Sequence, residues 1–247
     1  MDFVKMEGLG NDFIVVAGPI TPTSDQVAEW CDRRRGIGAD GVLVVDAGET
    51  VRMEYWNADG SAAEMCGNGL RCVARFARLR GMATTDAFVV TTPIGPRRVE
   101  VRESTVRVEL GSVAVSPGLV EIAGYRAVPV SVGNPHAVVF VDDCYSVPVA
   151  AVGPLIETDP AFPGRTNAGF ATVIDQKHLA LRVWERGVGE TLACGTGAAA
   201  AVAAAHGGGL TGPAVTVRLP GGDLAVEILE GVAWIEGPAR VVYAGAI

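Results

Sequence analysis

The chain has 247 residues, 49% of them hydrophobic and 19% charged, with a net charge of −8. This composition supports one large or two ordinary globular domains and excludes a disordered chain. With no basic run longer than Arg33-Arg34-Arg35, a nucleic-acid binder is excluded as well.

The opening stretch, MDFVKMEGLGNDF, holds acidic residues and no apolar run of signal-peptide length. Apolar β-rich runs follow at 14–16, 42–45 and 51–56. A Cys-Gly-Asn-Gly turn at Cys66 leads into a helix bounded by Gly69 and Gly81, with Leu70, Val73, Ala74, Phe76, Ala77 and Leu79 as its apolar positions. Period-two alternation predicts strands over Val99–Arg102 and Val106–Leu110. Ser116-Pro117-Gly118 then breaks the pattern. Further strands are predicted at 128–132, 137–141 and 179–184, and Cys194-Gly-Thr-Gly opens an alanine-rich helix through 198–205. That helix has almost no polar face, which predicts burial. It is also the longest apolar run, far short of the roughly 18 residues of a membrane span. Strands at 215–219, 224–229 and 232–235 follow, and a last one at 240–243 is expected to return to the first half. The expected setting is cytoplasmic, with no membrane contact. Five cysteines without a close Cys-x-x-Cys pair suit free thiols rather than a disulfide scaffold.

The chain reads as a duplication. Gly10-Asn11 matches Gly133-Asn134, the segment from Gly41 matches that from Gly169, and Cys66-Gly-x-Gly matches Cys194-Gly-x-Gly. Pro93–Val101 and Val106–Gly111 match Pro220–Ile228 and Val232–Gly237. The five matches keep one order, and their offset drifts only from 123 to 128. The expected fold is α+β, with two pseudo-symmetric halves, each a β-sheet rolled around a central helix. The halves are set at 1–115 and 116–237, with 238–247 joining the first.

In both halves a tryptophan precedes the cysteine by ten residues: Trp56 before Cys66, Trp184 before Cys194. A cysteine just ahead of a helix meets backbone N–H groups and the positive end of the dipole. Such placement lowers a thiol pKa from about 8.5 into the range of roughly 3.5–7.5. The same N–H groups hold anions such as carboxylates. Two halves would then bring two sulfurs to one cleft. Two like acid–base groups on opposite faces of a carbon are what inversion of a stereocentre requires. A cofactor-free racemase or epimerase is the sharp reading. A redox dithiol and a non-catalytic amino-acid binder stay open beside it. Zinc is disfavoured, because Cys66 and Cys72 are spaced Cys-x5-Cys and His136, His178 and His206 are scattered. Cys31, Cys72 and Cys144 read as small buried apolar residues.

The blocks MEGLGNDFIVV, RRRGIGADGVLVV, WNADGSAAEMCGNGLRC, VGNPHAVVF, FPGRTNAGF and VWERGVGETLACGTG occur in order from Lys5 to about Gly197. Together they resemble the diaminopimelate epimerase family. The resemblance implies a two-half fold and a two-base mechanism without a cofactor or metal. It implies conversion of LL-2,6-diaminopimelate to the meso form, on the way to lysine and cell-wall precursors. Cys66 and Cys194 would be the acid–base pair. Gly67, Asn68, Gly195 and Thr196 would hold the reacting carboxylate through their N–H groups. Asn11, Asn57, Asn134, Asn167, Glu185 and Arg186 match the family's substrate contacts, and His136 and Glu185 would tune the thiols. Tyr243 lies in the stretch used near the family's dimer contact, which implies a homodimer.

Overall fold

The computed structural model describes residues 1–63 and 65–247. They form two compact units, Met1–Val108 with Gly237–Ile247, and Glu109–Glu236.

The first unit begins with a hairpin of β1 (Asp2–Gly8) and β2 (Asn11–Ala17), turned at Leu9-Gly10, where both residues have positive φ and Gly10 adopts it without strain. Helix α1 (Ser24–Cys31) follows, then β3 (Gly41–Ala47), β4 (Val51–Asn57), the short β5 (Ala62–Ala63) and helix α2 (Gly67–Leu79). Strands β6 (Ala87–Thr92), β7 (Gly95–Val101) and β8 (Val106–Ser112), the last with only Val106–Val108 in this unit, complete the run. β1 and β2 are antiparallel, β2 and β3 parallel, and β3 and β4 antiparallel. β4 and β6 are parallel, while β6–β7 and β7–β8 are antiparallel.

The second unit repeats this plan. Two short strands, β9 (Ala114–Val115) and β10 (Val120–Ile122), pair with β11 (Tyr125–Ser131). Then come β12 (Pro135–Phe140), α3 (Val149–Glu157), β13 (Asn167–Asp175), β14 (His178–Glu185), β15 (Gly189–Thr191), α4 (Gly195–Gly207), β16 (Ala214–Leu219), β17 (Gly222–Leu229) and β18 (Val232–Gly237). From β11 the senses run antiparallel, parallel, antiparallel, then parallel from β14 to β16, then antiparallel twice. That is the order and sense of the first unit, strand for strand. The last strand, β19 (Arg240–Ala246), pairs antiparallel with β1 and so belongs to the first unit.

Each sheet wraps a helix. α2 packs on β1, β2, β3, β4 and β7; α4 packs on β11, β12, β13, β14, β16 and β17. In α4 every residue from Gly197 to Ala205 is buried. Alanines let strands close on it from all sides, at the cost of little side-chain area on the helix itself.

Two helices escape the sequence reading. α1 carries a capping box, Thr23 with Gln26, so a start signal was present in the sequence. α3 contains Gly153 and Pro154, which read as breakers. Gly153 is required there, because a Cβ would come within 2.5 Å of the Trp184 ring. No helix among the described residues is long and apolar enough to cross a membrane.

Overpacking tests the wrapped-helix arrangement. Ala201, fully buried in α4, leaves no room for growth, so Ala201→Leu should destabilise the fold by about 1–3 kcal/mol in urea unfolding.

Candidate active site

Cys66 is the N-cap of α2 and Cys194 the N-cap of α4, both with extended backbone (φ −143° and −117°). Each sulfur accepts the N–H of the third helical residue: Gly69 N to Cys66 Sγ at 3.3 Å, Gly197 N to Cys194 Sγ at 3.4 Å. All five cysteines are free thiols.

Around Cys66 the side chains form a connected set. The thiol donates to Asn11 Oδ1 at 3.6 Å, and Asn68 Nδ2 donates to the same oxygen at 3.3 Å. Asn11 Nδ2 in turn donates to Asp40 Oδ2 at 2.7 Å, which fixes the amide with its oxygen toward the sulfur. Asp40 is held by Arg33 at 2.7 Å and by the Asp12 N–H at 3.0 Å. Lys5, buried, pairs with Asp12 at 2.7 Å and donates to Gly38 O. Burial alone would raise the Asp12 pKa, but hydrogen bonds from Arg33 and Lys5 hold it down at about 2. Behind Asn68 lies Arg71, wholly buried, which donates to Asn68 Oδ1 (3.0 Å), Pro238 O (3.2 Å) and Gly67 O (3.5 Å).

Cys194 sits in different chemistry. Its sulfur is 3.6 Å from Thr196 Oγ1, and Asn134 Nδ2 donates to that hydroxyl at 3.4 Å. Asn134 Oδ1 accepts from His136 Nε2 at 3.0 Å. Because an amide oxygen only accepts, this bond assigns the proton of the neutral imidazole to Nε2. Burial pushes the Cys194 thiol well above its ordinary pKa, and the hydrogen-bonded Glu185 carboxylate pushes the same way. The sequence reading expected a lowered thiol here. At Cys194 desolvation outweighs the helix N–H groups. Burial also raises Cys31 to about 11 and Cys72 to about 12, which leaves those thiols inert at neutral pH.

The expected substrate contacts fall into two groups. Asn11, Gly67 and Asn68 gather at Cys66, and Asn134, Glu185, Gly195 and Thr196 gather at Cys194. Asn57 closes the turn after β4, its Nδ2 donating to Ser61 Oγ at 3.0 Å. Asn167 is a crosslink: its Nδ2 donates to Pro135 O at 2.9 Å and its Oδ1 accepts the Arg186 N–H at 2.9 Å. Arg186 is exposed and donates from Nη1 to Gly164 O at 3.0 Å. His136 reaches the thiol through Asn134 and Thr196. Tyr243 lies exposed on β19, its ring edge-on to Phe3 and its hydroxyl 3.5 Å from Ile37 O. Among the described residues, no three His, Cys, Asp or Glu side chains cluster as a metal site would require. Sequence reasoning missed Asp40, Arg71 and Thr191, whose hydroxyl donates to Glu185 Oε1 at 2.6 Å. Of these only Arg71 had a signal in the sequence, as a charge among the apolar residues of α2.

The diaminopimelate epimerase family model matches residues 3–115 and 128–242. The diaminopimelate epimerase of Pelotomaculum thermopropionicum is 44% identical, over 99% of this chain and 98% of the relative. That of Leptospira biflexa is 38% identical, over 100% and 99%. Among solved structures, a phenazine biosynthesis protein of the PhzF family from Bacillus anthracis superposes with a TM-score of 0.76 at 16% identity, over 100% and 98% of the two chains. A hydroxyproline epimerase from Agrobacterium vitis, with trans-4-hydroxy-L-proline bound, gives 0.75 at 16%, over 100% and 90%. These two establish the likeness of fold.

His136 yields a pH signature. Burial, reinforced by the Arg186 charge, lowers it from 6.5 to about 3. Below about pH 6.5 the unfolded chain takes up a proton that the folded chain refuses, so this contribution to stability is full above 6.5 and falls with acid. The slope is about 1.4 kcal/mol per pH unit down to about pH 3. Urea unfolding from pH 6.5 to 4.5 should cost the parent about 2 kcal/mol more than His136→Gln.

Proposed function

The chain belongs to the diaminopimelate epimerase family, and we propose on that footing that it interconverts LL- and meso-2,6-diaminopimelate by passing a proton between carbon and two thiols, Cys66 and Cys194. The observation that carries this reading is the twin cap: in each unit a thiol stands at a helix start with its sulfur on the third N–H.

Inversion needs a base on one face of the α-carbon and an acid on the other, and the reverse reaction exchanges their roles. One thiol therefore carries a proton while the other is a thiolate. Burial and Glu185 favour the proton at Cys194, so Cys66 takes the α-proton in that enzyme form. The carbanion-like charge that develops spreads toward the carboxylate. Backbone N–H groups at both helix starts, those of Gly67, Asn68, Gly195 and Thr196, stabilise it there. No cofactor is required in this scheme.

The non-reacting end is a second zwitterion, and polar side chains of both units suit it. Arg186 pairs a carboxylate in bidentate fashion. Glu185 and the carbonyls of Asn11, Asn57, Asn134 and Asn167 accept from an ammonium. The product serves lysine and cell-wall precursor synthesis in this reading. The strand β19, exposed along its whole length with Val241, Val242 and Tyr243 on show, is assigned to a homodimer contact.

Incubation with LL-diaminopimelate in D2O, under thiol reductant and without added cofactor, should exchange the α-hydrogen and yield the meso isomer, read by NMR. Absence of exchange would sink the proposal; a redox dithiol or a simple binder would give that result. Cys66→Ser and Cys194→Ser should each retain a capped helix, since serine is a preferred N-cap, and lose epimerisation. Full activity in either variant would reject the two-thiol scheme. Light scattering should find a dimer that Tyr243→Ala weakens; a parent that stays monomeric at all concentrations would reject the contact.

A further inference from the structure

Glu185 ends β14 and Arg186 follows it in a tight turn, in which Val188 N donates to Glu185 O at 3.0 Å and Gly187 takes φ +75°. The turn joins β14 to β15, with Glu185 paired to Gly189, and Arg186 is exposed on it. One carboxylate grips it from both sides. Glu157, the last residue of α3 and 6% exposed, accepts Trp184 Nε1 at 2.7 Å on one oxygen. Its other oxygen accepts the Gly187 N–H at 3.0 Å and Arg165 Nη1 at 3.3 Å. Trp184 immediately precedes the Glu185-Arg186 pair and Gly187 immediately follows it.

The rest of the neighbourhood ties in to the same place. The Glu157 main-chain oxygen accepts Thr166 N at 3.1 Å, next to Asn167, whose Oδ1 takes the Arg186 N–H. The face of α3 at Gly153 lies against the Trp184 ring, with no room for a Cβ. Hydrogen bonding from Trp184, then from Gly187 and Arg165, holds the Glu157 carboxyl below its ordinary range despite burial. A buried carboxylate is costly unless its oxygens are satisfied, and here one donor, the Gly187 N–H, lies in the turn and another, Trp184 Nε1, on the strand that enters it.

We infer that Glu157 is a positioning residue: it fixes Glu185 and Arg186 in the geometry that selects the non-reacting end of the substrate. This rests on the reading above that Glu185 and Arg186 meet the distal ammonium and carboxylate. Glu157 does no proton transfer. Its removal weakens distal binding that is the same in ground and transition states, which raises KM, and loosens Glu185 against Cys194, which lowers kcat to a smaller extent.

Glu157→Gln keeps the shape but sets an amide NH2 against either the Trp184 or the Gly187 N–H. An unsatisfied buried donor of this kind should raise KM for diaminopimelate about tenfold, with kcat within about threefold of the parent. Trp184→Phe is the milder second variant, which keeps the ring on Gly153 and removes one donor; KM should rise about threefold. A merely structural role would lower the melting temperature and leave the KM of the folded enzyme unchanged. That result in both variants overturns the inference. Arg186→Gln separates the two layers of argument. If it raises KM while the Glu157 and Trp184 variants do not, Glu157 alone is misassigned. If it leaves KM unchanged, the reading of the distal contacts falls and this inference falls with it.

Discussion

A buried helix must have its first N–H groups satisfied, and in both units the group that does so is a sulfur. Serine, threonine, aspartate and asparagine are the preferred caps, and a thiol is a weaker acceptor. The arrangement works because glycine occupies the third helical position each time. A Cβ on Gly69 would lie 3.2 Å from Leu43 and 3.4 Å from Cys66, and one on Gly197 would lie 3.1 Å from Val183 and 3.3 Å from Cys194. Glycine lets the helix backbone come down onto the sulfur and the strand behind it. The wrapped sheets, the small-residue surface of α4 and the cysteine caps are one solution to burying a helix with a thiol at its start.

The backbone plan is duplicated, but the electrostatics are not. Near Cys66 the fixed charges run outward from Asn11 through Asp40 and Arg33, with the buried Arg71 behind Asn68. The repeat offset of 128 puts Ala199 where the first unit has Arg71. Near Cys194 stand Glu185 and a neutral His136. A thiol beside a carboxylate and out of water keeps its proton. Symmetry of the frame thus supplies two sulfurs at like positions, and the side chains that break the symmetry give each its own surroundings, with burial and Glu185 raising the pKa of Cys194.

Much of this was legible along the chain. The five ordered matches foretold two like units, and period-two alternation foretold β7, β8 and β16 to β18. The Cys-Gly-x-Gly turns foretold the helix starts, because glycine and cysteine at fixed spacing carry their local chemistry with them. Helix α3 was not legible, since Gly153 and Pro154 argue against a helix until Trp184 is known to lie across it. Asp40 and Glu157 were equally silent. An acidic residue in a polar loop reads as solvated surface, and only the folded chain brings Asn11 or Trp184 to its oxygens.

The amino-acid sequence by itself determined the duplication, the placement of both thiols at helix starts and the family. Each of these depends on residues close together in the chain or on a repeat that can be counted. The tertiary structure alone decided the ionisation of the site and the bracing of its turns. Those depend on burial, which raises Cys194 and lowers His136, and on hydrogen bonds between residues as far apart as Glu157 and Gly187. Desolvation has no signature in local sequence, because it is a property of what the rest of the chain folds over a group.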